Sequence, residues 1–99
     1  MDHVQFDQPV SVFIGLGFPR EIQTALDAYD VLIEWNGLPD LDRSAAIETC
    51  RKVLNGKGNG REAREAFQRF AHGRGILVED VYSRASNQLA REWSIPHAG

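Results

Sequence analysis

Three amphipathic stretches, each closed by glycine, govern what this chain can become. Ala25, Ala28, Tyr29, Leu32 and Trp35 recur at helical spacing as far as Asn36-Gly37. Ala46, Ile47, Cys50, Val53 and Leu54 do so as far as Asn55-Gly56, and Ala63, Ala66, Phe67, Phe70 and Ala71 as far as Gly73-Arg74-Gly75. Leu26 and Ile33 read as widening the first stripe. Each stretch is preceded by a residue able to accept bonds from free helix N–H groups: Thr24 with Asp27 three on, Asp40 or Asp42, and Asn59 with Glu62. The pattern predicts three helices.

Ahead of them, Val10, Val12, Ile14 and Leu16 alternate with Ser11, Phe13 and Gly15, the period of a strand with one buried face. Gly15-Leu16-Gly17-Phe18-Pro19 is turn chemistry, and Arg20–Gln23 reads as a return strand with Ile22 inward. Ile76-Leu77-Val78 is extended in this reading, either docking on the core or adding a short third strand. A fourth helix is expected from about Asp80 to Trp93, before a frayed Ser94–Gly99. An isolated hairpin is marginal in water, so helices must cover one face. The expected fold is α+β: an antiparallel hairpin packed on three helices, with a C-terminal fourth. Its organisation is an N-terminal arm over 1–8, one domain over 9–79, and a helix with tail over 80–99.

With 99 residues, 42% of them apolar and nine aromatic, the chain can fill one core. It contains no apolar run long enough for a membrane span. Met1-Asp2-His3-Val4-Gln5 has neither a basic stretch nor an apolar segment, so no secretory leader is expected. A single cysteine excludes an internal disulfide and suits a reducing, cytoplasmic compartment. The formal charge of -3 argues against a globally basic nucleic-acid binder.

The order of short motifs is informative as well. Pro9-Val10-Ser11-Val12 leads to Gly15-Leu16-Gly17, then Ile22 and Leu32–Trp35. Next come Arg43-Ser44-Ala45-Ala46 with Cys50, Asn55-Gly56, Ala63-Arg64-Glu65-Ala66-Phe67 and Gly75-Ile76-Leu77-Val78-Glu79. This succession resembles a small bacterial family known as domain of unknown function 982, found in rhizobia and their relatives. Two positions depart from it: a proline expected soon after Trp35 is displaced by Asn36-Gly37-Leu38, and a histidine common near the start of the second helix is missing. The resemblance implies the fold and a bacterial cytosolic origin, and brings no catalytic residues with it.

Candidate chemistry is sparse. Gly15-Leu16-Gly17 lacks the third glycine of a dinucleotide fingerprint, with Arg20 in its place. Asn55–Gly60 is glycine-rich and precedes a helix, but lacks a P-loop's GKS or GKT ending; it reads as a connector. Cys50 falls on an apolar stripe and reads as a small core hydrophobe; a nucleophile pair with His72 is the sharper alternative. His3, His72 and His97 are scattered, so neither metal nor cofactor is expected. Asp27, Asp30 and Glu34 share a helical face and read as solvated acids.

Charge is unevenly spread. Residues 1–50 hold two arginines against nine acids, whereas 51–74 hold seven cations against two. Exposed helix faces alone would produce this; charge-complementary pairing of two copies, or nucleic-acid contact through Lys57, Arg61 and Arg64, are the functional readings. Phe13, on the outer face of its strand, and Trp93, ending the last helix, are candidate apolar anchors. The leading expectation is a non-enzymatic protein-interaction or regulatory module capable of self-association, its partner another protein or a second copy. The alternative is a nucleic-acid-associated accessory domain. No membrane partner is expected.

Overall fold

The computed structural model describes residues 5–15, 17–35, 37 and 40–83. Its elements run β1 (Gln5–Phe13), β2 (Pro19–Thr24), α1 (Ala25–Glu34), α2 (Leu41–Leu54) and α3 (Gly60–Arg74), and residues 78–83 begin a further helix. The architecture is α+β: an antiparallel two-stranded sheet against a helical layer. The expected continuation of the last helix to Trp93 lies outside the described residues.

Each helix starts where its cap residue stands. Thr24 Oγ1 accepts from Asp27 N, Asp40 Oδ1 from Arg43 N, and Asn59 Oδ1 from Glu62 N. Glu62 returns the favour by accepting from Asn59 N, which completes a capping box. Asp27 accepts from Gln23 N, one residue before the cap, and so does not complete a capping box with Thr24. At the other ends the signals are equally local. Gly75, at φ 71°, lets Gly75 N bond His72 O and Ile76 N bond Ala71 O, the paired bonds of a Schellman motif. Gly56 closes α2 the same way, with Gly56 N on Val53 O and Lys57 N on Lys52 O.

The core forms where these elements meet. Val10, Val12 and Ile22 project from the sheet onto Ala28 and Leu32 of α1, Cys50 and Val53 of α2, and Phe67 and Phe70 of α3. Trp35 packs edge-on to Phe70, with centroids 5.4 Å apart. The five stripe residues expected of α3 are all buried. On α1 the buried set is Ala25, Ala28, Val31 and Leu32, so the stripe is narrower than expected and turned toward Val31. Leu26 and Ile33 are not part of it: they are 52% and 47% exposed.

The strands differ in detail from the sequence reading. β1 starts at Gln5, inside the stretch assigned to an N-terminal arm, and ends at Phe13 rather than Leu16. Its early half is irregular: Gln5 faces Thr24 and Val10 faces Ile22, so β1 spends five residues where β2 spends two. That irregularity takes Gln8 out of the regular ladder, and Arg64 of α3 donates to its carbonyl from Nε at 2.8 Å. Replacing Arg64 with alanine is expected to lose about 1–2 kcal/mol, because a charged donor is removed from a backbone acceptor. Amide exchange should accelerate at Gln5, Phe6 and Gln8 first; unchanged protection there would mean the clamp does not hold the strand.

Ile76–Val78 does not form a strand. Phe13 N donates to Ile76 O at 2.8 Å and Leu77 makes an isolated bridge to Val12, after which the chain turns helical at Val78. The docking alternative therefore holds.

Candidate interaction surface

The five residues singled out from the sequence are not brought together. Phe13 is half-buried, its ring edge-on to Tyr82 at 6.3 Å, so the start of the last helix already covers it. Lys57 is exposed in the α2–α3 connector. Arg61 sits 3.8 Å from Glu65 on its own helix. Arg64 is turned against β1, with 20% of its side chain exposed and Asp7 3.9 Å away, so it serves the fold and does not belong to an open basic surface. Trp93 lies outside the described residues.

The basic character of 51–74 is largely answered within the chain. Arg51 lies 3.7 Å from Glu48 and Arg74 3.5 Å from Asp40, in addition to the Arg61 and Arg64 contacts. Such exposed pairs are energetically weak, but the interleaved acids break up any continuous positive face. At the N-terminus of α3 the Glu62 carboxylate accepts from Asn59 N and the Asn59 side chain accepts from Glu62 N, which sets a negative charge beside the amides an outside anion would use.

The sheet edges are blunted. Phe13 N points away from β2 toward Ile76, so by alternation Pro19, Glu21 and Gln23 direct their backbone groups to the outer side of β2. Pro19 has no N–H and that of Gln23 is held by Asp27, which leaves Glu21 as the one unpaired donor on that edge among the described residues. Pro9 stands at the equivalent alternation on β1. Strand addition therefore has little to engage.

Cys50 and His72 are held apart in role. Cys50 is fully buried among core residues, and desolvation pushes its thiol from 9.0 up to about 11. His72 instead faces Asp80, Nδ1 to Oδ2 at 2.6 Å, across the junction between α3 and residues 78–83. That pair rims a shallow hollow of about 410 Å³ lined also by Gln68, Arg69 and Glu79. Among the described residues, no group of three His, Cys, Asp or Glu side chains is placed to hold a metal. No described helix is long and apolar enough to cross a membrane.

Among the described residues Phe18, Leu26, Ile33, Leu41 and Tyr82 are the exposed large apolar side chains, and of these Leu26 and Ile33, which the sequence reading had placed in the core, share one helix face. Leu26 and Ile33 are seven residues apart, two helical turns, and half-buried Tyr29 lies between them on the same side. The signal was present: Ala25, Ala28, Val31 and Leu32 define one narrow arc, and Leu26 and Ile33 fall outside it. Beside this line run Asp30 and Glu34, both exposed, with no ion pair among the described residues. On α2, Arg43, Ile47 and Leu54 share a face. Arg43 Nε donates to Leu32 O at 2.9 Å, which turns that face toward α1. Ile47 and Leu54 are half-buried, and Arg51 reaches the Tyr29 phenol, which together with Glu48 raises its already high pKa. The α1–α2 seam is thus apolar, with free acids on its α1 flank.

No curated protein and no solved structure was found to match the chain. The family model described as protein of unknown function (DUF982) matches residues 8–78, from the irregular half of β1 to the start of the last helix. That span contains the hairpin from Gln8 onward, the three capped helices and the Ile76 docking point, and on it the chain belongs to the DUF982 family.

Proposed function

We propose that this protein is a non-enzymatic, cytoplasmic protein-interaction module that docks on its partner through the outer face of α1. The observation that carries this reading is the pair Leu26 and Ile33, exposed two turns apart with half-buried Tyr29 between them. Large apolar side chains at two-turn spacing on an exposed helix face are costly to leave in water and are the usual anchors of helix-mediated contacts. The free thiol of Cys50 suits a reducing compartment.

A photo-crosslinking residue at position 33, introduced into the protein in the source cell, tests this. A discrete protein adduct from position 33, with none from position 57, is the expected result. An adduct of twice the chain mass identifies self-association. Silence at position 33 overturns the reading.

Nucleic-acid contact through 51–74 is the second reading, and exposed Lys52, Lys57 and Arg69 favour it. Glu48, Glu62 and Glu65 among them weaken the field it needs. Anisotropy with generic DNA and RNA is expected to show no salt-dependent binding.

A further inference from the structure

We infer that the α1–α2 seam receives an amphipathic helix of a second protein, whose apolar face covers Leu26, Tyr29 and Ile33 and whose lysine- or arginine-bearing flank lies over Asp30 and Glu34. This rests on the docking face proposed above and adds the chemistry of its occupant.

Tyr29 of α1 and Ile47 and Leu54 of α2 are half-buried against the core, and Leu26 and Ile33 stand exposed beside Tyr29 on α1. The apolar surface on offer is therefore a line along one helix face, which an amphipathic helix covers by its own apolar stripe. The electrostatics of the two flanks differ. On the α2 side Arg51 is answered by Glu48 at 3.7 Å, so that flank is locally neutral. On the α1 side Asp30 and Glu34, one turn apart, have no cation among the described residues. An occupant matching both flanks carries positive charge along one side only, which also fixes its orientation.

A second copy fits less well. Two α1 faces packed antiparallel about a two-fold axis set Asp30 and Glu34 of one copy against those of the other, acid upon acid, and a two-fold along the helices sets them against the flank where Glu48 already answers Arg51. Offering the 51–74 surface instead brings Glu62 and Glu65 along with its cations, and such head-to-tail contacts do not close into a dimer.

The test is an NMR titration of the isotopically labelled full chain with a synthetic helical peptide, leucine on one face and lysine along one flank. The control peptide has glutamate in place of lysine. The expected result is binding of the basic peptide, with shift changes at Leu26, Tyr29, Asp30 and Ile33, and at least tenfold weaker binding of the acidic one. Leu26→Glu with Ile33→Glu should weaken the basic peptide at least tenfold. Asp30→Asn with Glu34→Gln should weaken it and flatten its salt dependence. Both pairs are exposed, so thermal melts should stay near wild type. Equal binding of the two peptides, shifts centred elsewhere, or no binding overturns the inference. If α1 shifts change with protein concentration alone, the occupant is a second copy: the inference fails and the docking face stands. If the crosslinker at position 33 is silent as well, both fail.

Discussion

Replacing Phe67 with alanine is expected to remove about 3–5 kcal/mol of stability. Phe67 is fully buried, its ring 6.0 Å from that of Phe70, and α3 supplies both rings to the point where the sheet meets the helices. Deleting the ring forfeits its transfer energy and leaves a cavity, since the alanines around it (Ala63, Ala66, Ala71) have no side-chain length with which to fill it. A domain of this size commonly holds about 5–15 kcal/mol in all, so the variant sits near the unfolding threshold. Urea unfolding followed by far-UV circular dichroism reads the change as a lowered midpoint at constant slope. Ile33→Ala, on the exposed face of α1, is the control and should shift stability by no more than about 0.5 kcal/mol. Equal losses from the two variants would contradict the assignment of inner and outer faces.

The second large effect concerns Cys50. Its thiol is held up at about 11 by burial, against 9.0 ordinarily. The folded state therefore keeps a proton that the unfolded chain releases first as pH rises. Between pH 9 and 11 the unfolded state binds fewer protons, so stability falls with rising pH, by a few kcal/mol at most, on the order of 1.4 kcal/mol per pH unit. Below pH 9 this contribution to the slope vanishes. Other groups titrate in the same window, so the informative quantity is the difference between wild type and Cys50→Ala, which should lose this slope. At neutral pH a disulfide reagent should label Cys50 slowly in the folded protein and rapidly in urea. Rapid labelling without denaturant would mean that the thiol is reachable, and would reopen nucleophilic chemistry at this position.

Much of the fold is legible in the sequence because its signals act over three or four residues. Thr24 and Asn59 cap the helices they were expected to cap, and of the two candidates Asp40 and Asp42 it is Asp40 that caps the second. Gly56 and Gly75 end theirs, because a left-handed residue there ties two carbonyls of the last turn. The α3 stripe is recovered whole, since five apolar residues on an otherwise charged helix leave one choice of inner face. The start of β1 was missed for a related reason: Gln5–Pro9 is polar and irregular, and its pairing rests on Thr24 and Arg64, residues far along the chain.

The candidate surface was legible only in part. Composition placed Arg64 on a basic patch, whereas the fold uses it to satisfy a carbonyl 56 residues away. Leu26 and Ile33 are apolar and on a helix, so the sequence alone makes them core. They are exposed because α1 is backed by the sheet and α2 on limited arcs, and no described element covers its outer side. The residues themselves determined where helices begin and end, for those choices are made by backbone groups within a turn of one another. Only the tertiary structure decided which apolar side chains remain outside and which charges face solvent, because both depend on what packs against each helix, and that is fixed by contacts between distant parts of the chain.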